Sequence, residues 1–297
     1  MTRSAANLLL LLAGAIWGMG FVTQSAAMAS VGPWTFVAAR FLIAAATVAP
    51  FAWLEGRKPA ATPMPAGAWR GFVLTGLVLF AGAILQQVGL LTTSVTNSGF
   101  LTGLYVVFTP LLALVLMRHR AHWVVWPAAL AALIGIALLG GGTLAALTVG
   151  DGLTVVCALF WSLQILLVGK YAQSSGRPLL LNTVQFATTA VIALIGAVLL
   201  EPISLEALGA VWKEIAYAGI FSSGLAFSLQ TIGQRWTSAP QAAIFLSSEA
   251  LFAALFGALV LGERMQALGF LGCALIFAAI LAVELVPLWG KRRSQPA

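Results

Sequence analysis

Long apolar runs separated by short polar connections make up most of the chain. A membrane-spanning helix needs about 20 apolar residues to cross about 30 Å of hydrocarbon at 1.5 Å per residue, and many runs reach that length. The short alternating pattern that is typical of barrel strands is not seen. The pattern predicts an all-α polytopic membrane protein with ten transmembrane helices, which we name segments 1 to 10: residues 6–29, 33–54, 70–92, 96–117, 124–147, 150–172, 179–200, 210–235, 239–261 and 265–288.

One stretch of the chain, Leu85–Pro110, returns later as Leu229–Ala254. An offset of 144 pairs Leu85 with Leu229 and Gln86 with Gln230, and offsets of 144 or 145 pair further positions across both halves. Because five is an odd number, a second unit of five helices enters the membrane from the opposite side, which gives two inverted-topology repeats. We therefore predict three parts: a first five-helix repeat at 1–148, a second at 149–290 and a basic cytoplasmic tail at 291–297.

Lysine and arginine lie mostly in connections that would share one side of the membrane. With the amino terminus in the cytoplasm, the outer connections hold only Lys213 and Arg264. The positive-inside rule then predicts that both termini are cytoplasmic. Segment 1 begins like a signal peptide, but Trp17 recurs 144 residues later as Trp161, so we interpret it as a span.

Composition excludes an ordinary soluble domain, which carries about 25% charged residues. This chain has 297 residues, 61% hydrophobic and 8% charged, with a mean hydropathy of +1.02. The net charge of +7 is spread over short connections, so we expect the lipid bilayer as a partner and no nucleic acid. Cys157 and Cys273 both lie inside apolar runs without CxxC or Cys/His spacing, so we expect no disulfide, no metal and no cofactor.

Polar side chains inside the apolar segments are the candidate binding residues. Segment 4 carries Ser98, Thr102, Tyr105 and Thr109 at helical spacing, which places them on one face. A single hydroxyl often only bonds its own or a neighbouring helix, so the stripe as a whole is the stronger signal. The alternatives are helix association and a polar cavity wall.

Aromatic and amide side chains recur at equivalent positions of the two halves. Trp17 shares a helical face with Phe21 and Gln24, and Trp161 shares one with Gln164 and Val168. A tryptophan in a membrane helix also packs simply against lipid or other helices. Amides donate and accept hydrogen bonds, which suits a neutral or zwitterionic solute, and we add the amides of Gln86 and Gln230 to the candidate wall.

Two charged residues interrupt the apolar segments. Glu249, in segment 9 at the position that matches Tyr105, should face a wet cavity, pair with another group or be protonated. Arg40 lies nearer the outer end of segment 2, where we expect snorkelling or a structural bond to carbonyls.

Proline and polar composition predict further local features. Pro110 is expected to interrupt segment 4 and act as a hinge, and its counterpart is Ala254. The stretch Glu55–Arg70 is predicted to be a linker, and the basic tail is predicted to be disordered.

Four motifs together resemble the EamA-type proteins of the drug/metabolite transporter superfamily: AGAIWGMGFV in segment 1, the arginine of PWTFVAARF, the proline of FTPLLALVL, and LGERM at Leu261–Met265. The first half departs from the last motif with LMRHR at Leu116–Arg120. Within the superfamily the chain looks most like the YddG-type bacterial amino-acid exporters.

This resemblance implies ten helices in two inverted repeats in the bacterial inner membrane, and a central cavity lined by segments 1, 3, 4, 6, 8 and 9. It implies export of aromatic and other neutral amino acids, with these residues at the substrate: Trp17, Gln86, Tyr105, Trp161, Gln230 and Glu249. The face that Trp161 shares with Gln164 adds that amide to the predicted site.

The predicted function is therefore secondary transport of small neutral and aromatic amino acids, or similar amphipathic metabolites, out of the cell by alternating access, with the monomer as the expected form. A channel, a broad drug or metabolite efflux carrier and an intramembrane enzyme are the alternatives. An enzyme is disfavoured because His119 and His122 share one connection and no second intramembrane acid supports Glu249. No GxxxxGK[ST] motif for ATP is present.

Overall fold

The regular structure of the protein is entirely helical wherever it is described. A computed structural model describes residues 1–57, 64–93, 95–139, 148–261 and 267–293, and these ranges contain helices and turns but no strand. Within these ranges, eight helical stretches are long and apolar enough to cross a membrane: Arg3–Ala27, Pro33–Arg57, Ala68–Gly89, Ser98–Met117, Val149–Ser175, Pro178–Leu200, Trp212–Gln234 and Ala267–Pro287. The protein is a multi-pass membrane protein.

Most helices follow the predicted segments to within a few residues. Segments 2, 3, 6, 7 and 10 are single helices: Pro33–Arg57, Ala68–Gly89, Val149–Ser175, Pro178–Leu200 and Ala267–Arg293. Segment 5 is described as a helix at Val125–Leu139, and its predicted residues 140–147 lie outside the described residues. Segment 8 joins Trp212–Ala216, a π-helical stretch at Tyr217–Leu225 and Ala226–Gln234, and a short helix at Leu205–Ala210 precedes it.

Three predicted segments are interrupted: segment 1 consists of Arg3–Gly18 and Gly20–Ala27, segment 4 of Val95–Thr102 and Tyr105–Met117, and segment 9 of Ala239–Leu246 and Glu249–Leu261. In segment 4 the interruption is a tightened turn in which Leu104 N donates to the Leu101 carbonyl at 3.2 Å. Segment 9 has the same turn 144 residues later, with Ser248 N donating to the Phe245 carbonyl at 3.2 Å.

Pro110 does not cause the interruption of segment 4. It lies inside the helix Tyr105–Met117, after the turn, and segment 9 has the equivalent turn although its counterpart of Pro110 is alanine. Gly103 and Ser247 are better reasons for the turns. Glycine lowers helix propensity, and the Ser247 hydroxyl donates to the Ile244 carbonyl at 2.7 Å, competing for the helical backbone.

Helix contacts occur in matching pairs across the two halves. Segment 2 packs along segment 7, and segment 5 along segment 10. Segment 6 packs on segments 3 and 4, while segment 1 packs on segments 8 and 9, which are their counterparts. Close approach needs small residues: a Cβ on Gly89 would lie 2.9 Å from Thr154 Oγ1, and one on Gly233 would lie 2.9 Å from the Ala6 carbonyl.

Two glutamates cap the helices of segments 2 and 7 reciprocally. Glu201, which follows the end of segment 7, accepts hydrogen bonds from the backbone N–H groups of Trp34 at 2.9 Å and Thr35 at 2.8 Å, at the start of segment 2. Glu55, near the end of segment 2, accepts from Leu179 N at 3.3 Å and Leu180 N at 3.0 Å. Carboxylates at helix N-termini satisfy free donors and the helix dipole, so the two helices are fastened antiparallel at both ends.

Two predictions about irregular regions need correction. The expected linker begins later than predicted, because segment 2 continues as a helix through Arg57, and residues 58–63 of that linker lie outside the described residues. Residues 291–293 of the basic tail, which is predicted to be disordered, extend the helix Ala267–Arg293, and residues 294–297 lie outside the described part.

Candidate functional site

A cavity, part of it open to solvent, lies between the two halves. All seven residues of the predicted substrate site line it: Trp17, Gln86, Tyr105, Trp161, Gln164, Gln230 and Glu249. They come from segments 1, 3, 4, 6, 8 and 9. The other lining residues lie on the same segments, except Arg40, which comes from segment 2. The structure thus brings the predicted residues together, and their role toward a solute remains a prediction.

Three aromatic rings form one wall of the cavity. Phe227 lies between the two tryptophans: its ring centroid is 4.9 Å from that of Trp17, edge to face, and 5.8 Å from that of Trp161, stacked. The indole Nε1 of Trp17 donates to the Ser222 carbonyl at 2.8 Å, in the π-helical stretch of segment 8. Such rings offer a large apolar surface in a fixed orientation.

A carboxylate and a phenol meet at the interrupted helices. Tyr105 donates to Glu249 Oε1 at 3.2 Å, and these residues are each other's counterparts at the offset of 144. Each is the first residue of a half-helix, Tyr105–Met117 and Glu249–Leu261. The positive end of the helix dipole therefore stabilises Glu249, as at the half-helix ends that line many transporter sites.

Amides supply the remaining polar wall. Gln86 donates to Thr102 Oγ1 at 3.1 Å, and Gln230 donates to Gln164 Oε1 at 3.1 Å. Gln164 in turn donates to Gln185 Oε1 at 3.3 Å. The Oε1 atom of Gln230 is buried and has no hydrogen-bond partner among the described residues, so it can accept from a solute.

Arg40 is the residue that the sequence interpretation misplaced. Its side chain does not snorkel to a membrane surface: it is 5% exposed and lines the cavity. Nε donates to Ser223 Oγ at 3.0 Å and Nη1 to Gln24 Oε1 at 2.9 Å. A signal was present in the sequence, because the offset of 145 that pairs Phe41 with Phe186 pairs Arg40 with Gln185, another polar residue in an apolar segment.

The hydroxyl stripe of segment 4 divides between two roles. Thr102 and Tyr105 line the cavity, whereas Thr109 donates to its own helix at the Tyr105 carbonyl, at 2.7 Å. Ser98 and Pro110 are buried but are not among the lining residues. A hinge at Pro110 remains a prediction.

Two polar contacts, which we call latches, join neighbouring segments near opposite ends of the bundle. In the first latch, Thr237 donates to Asn7 Oδ1 at 2.9 Å. The second latch, 144 residues away in both members, joins Thr93 to Asp151. Segment 6 reaches both ends, because it starts near Asp151 while Gln173, near its end, donates to the Thr237 carbonyl at 3.3 Å.

The described residues contain no group of three or more histidine, cysteine, aspartate or glutamate side chains that could hold a metal ion. Of the two cysteines, Cys157 is buried and Cys273 is partly exposed.

Apolar helices around an aromatic and polar cavity define a multi-pass membrane protein with a central chamber. The EamA-like transporter family matches the chain twice, at residues 4–141 and 148–285, so the chain belongs to this family. It is 30% identical over 286 residues to an uncharacterized transporter from Archaeoglobus fulgidus, covering 95% of this chain and 87% of the relative. Both names indicate a membrane transporter rather than an enzyme.

A solved crystal structure superposes on the protein with a TM-score of 0.79, over 96% of this chain and 99% of the other. The two sequences are 20% identical, so this likeness concerns the fold alone.

Proposed function

We propose that this transporter is a carrier that exports small neutral and aromatic amino acids, or similar amphipathic metabolites, across a bacterial inner membrane. The observation that carries the proposal is a cavity in which two tryptophans, four glutamines, one tyrosine and one glutamate face the same space. Aromatic planes suit the apolar part of such a solute, amides suit its polar groups, and the Glu249 carboxylate suits its ammonium. Within the family, we place the chain with the YddG-type exporters.

Alternating access is the proposed mechanism, with two inverted repeats of five helices at 1–148 and 149–290. The matching helix contacts, the reciprocal glutamate caps and the paired latches support this arrangement, since a two-fold relation repeats every contact between two halves. The contact between Tyr105 and its own counterpart Glu249 supports such a relation, because residues that touch their own counterparts lie near a two-fold axis. The latch at either end would open in turn while the other stays closed.

Counterflow through purified protein in liposomes tests the proposal. Vesicles loaded with unlabelled amino acid should take up the labelled form faster than empty vesicles, because a carrier returns more quickly when it is loaded. A panel of labelled neutral, aromatic and charged amino acids identifies the substrate class, with protein-free vesicles as the control. Equal uptake with and without internal solute would indicate a channel, and no uptake of any amino acid would refute the substrate class.

A further inference from the structure

The buried guanidinium of Arg40 has neutral partners. Of the described residues, Ser223 and Gln24 accept its hydrogen bonds, and no carboxylate oxygen lies within 4.0 Å of its nitrogens. Its carbon Cζ lies 5.0 Å from the ring centroid of Phe41. Aromatic faces and neutral acceptors stabilise a buried cation without cancelling its charge, so its attraction for an anion in the cavity is retained.

The two charged residues among the described lining residues, Arg40 and Glu249, lie at positions where the two halves differ. Arg40 has Gln185 as its counterpart, and Glu249 has Tyr105. The lining residues therefore include one cation from the first half and one anion from the second. A chamber with one group of each sign fits a solute that carries both an ammonium and a carboxylate.

We propose that Arg40 is a specificity-determining residue that binds the carboxylate of the transported solute, while Glu249 binds its ammonium. This inference rests on the proposed function, which assigns no group to the solute carboxylate. Guanidinium has five N–H donors in a planar fork that matches a carboxylate, and the two bonds to Ser223 and Gln24 leave donors for a further acceptor. These two bonds also hold the guanidinium in place, so that it is oriented before the solute arrives.

Three related compounds separate the two charges of the solute: L-phenylalanine, L-phenylalaninamide, which lacks the carboxylate charge, and 3-phenylpropionate, which lacks the ammonium. Binding to detergent-purified protein is measured by the quenching of tryptophan fluorescence. The key variant is Arg40→Gln, because glutamine is the residue that the second half carries at this position. Arg57→Gln is the matched control, since Arg57 is exposed and stacks on Trp53, away from the cavity.

In the unmodified protein, phenylalanine should bind more tightly than its amide by about 10- to 100-fold, the range expected for hydrogen bonds to a charged group. Arg40→Gln should weaken phenylalanine to the level of the amide and leave the amide unchanged, whereas Arg57→Gln should preserve the difference. An equal loss for both compounds would mean a structural role for Arg40 and would overturn the inference.

Failure of the proposed function gives a different result. If the unmodified protein binds neither phenylalanine nor its amide, the amino-acid assignment fails for this solute class. Binding of 3-phenylpropionate then decides the role of Arg40 independently: binding that is lost in Arg40→Gln and retained in Arg57→Gln supports an anion-binding guanidinium, and its absence from the unmodified protein refutes it.

Discussion

At the scale of single residues, the two cavity tryptophans differ in how they are held. Trp17 is fixed by a hydrogen bond to the Ser222 carbonyl and by the edge of Phe227, while Trp161 stacks on the other side of Phe227. Both indoles are therefore oriented by contacts on segment 8.

Replacement of either tryptophan should weaken transport without unfolding the protein. Trp17→Ala and Trp161→Ala are each expected to reduce the affinity for an aromatic solute about tenfold, equivalent to about 1.4 kcal/mol, because one ring face is lost. Counterflow measures the effect, and Trp212→Ala, an exposed tryptophan at the start of segment 8, is the control. Unchanged transport in both cavity variants would remove the tryptophans from the site.

Glu249 is the lining residue best placed to couple transport to protons. Its carboxylate is held between the Tyr105 hydroxyl and the start of a half-helix. If the carboxylate takes up and releases a proton during the cycle, Glu249→Gln should flatten the pH profile of flux, because glutamine keeps the shape and cannot titrate. The exposed Glu206 gives the control variant Glu206→Gln, and an unaltered profile for Glu249→Gln would leave it a binding or structural role.

Residue chemistry in the sequence is sufficient to select seven of the lining residues, because polar and aromatic side chains recur inside the apolar segments of both halves. It is insufficient for Arg40. The depth of Arg40 in its segment favours a surface position, whereas the direction of its side chain depends on Gln24 and Ser223 in other segments.

At the scale of elements, the reciprocal caps lie at the two ends of the contact between segments 2 and 7. Segments 2 and 7 run antiparallel, and each ends beside the first backbone N–H groups of the other. A 25-residue helix is about 37 Å long, so the caps act independently at opposite ends.

Removal of one cap should destabilise the protein modestly. Glu201→Ala and Glu55→Ala are each expected to cost about 1 kcal/mol and to lower the apparent unfolding temperature in detergent by roughly 2 to 4 °C. Effects of the two substitutions should add, because the sites share no partner. Glu206→Ala, at an exposed position, is the control, and a double variant no less stable than either single one would contradict independent caps.

Element positions follow closely from the apolar pattern, but interruptions do not. The turns at Gly103–Leu104 and Ser247–Ser248 are short and flanked by apolar residues, so the apolar runs of their segments continue across them and hydropathy alone does not show them. The prediction that Pro110 interrupts segment 4 is wrong, because Pro110 lies inside the helix Tyr105–Met117. The π-helical stretch Tyr217–Leu225 is also invisible in the sequence, because its counterpart in segment 3 is an ordinary α-helix of similar composition.

At the scale of the whole molecule, the two latches have to open at different times if access alternates. Both are closed in this structure. Segment 6 spans the distance between them, about 33 Å for 22 residues, so a rocking motion of one half could open one end while compressing the other.

Locking either latch should stop transport. Paired cysteines at positions 7 and 237, or at 93 and 151, introduced with Cys157 and Cys273 replaced, are expected to block counterflow when oxidised and to restore it when reduced. The control is a double-cysteine variant with one substitution at each latch, so that its two cysteines lie at opposite ends of the bundle and form no pair. Continued exchange with one pair fully oxidised would exclude opening at that end.

Both termini should lie in the cytoplasm. Cysteine labelling from outside intact cells, with single cysteines near residues 2 and 293, is expected to leave both unlabelled, whereas a cysteine at residue 203, between segments 7 and 8, should react. Labelling at only one terminus would contradict an even number of membrane crossings and, with it, the inverted repeat.

The unequal charges at paired positions have a consequence for how such a chamber can arise. In an assembly of two identical five-helix chains, every side chain beside the symmetry axis occurs twice, so a pocket would contain two arginines or two glutamates and would repel itself. Here Arg40 is paired with Gln185, and Tyr105 is paired with Glu249. Two halves joined in one polypeptide are free to diverge, so they can give such a chamber an electrically polarised interior.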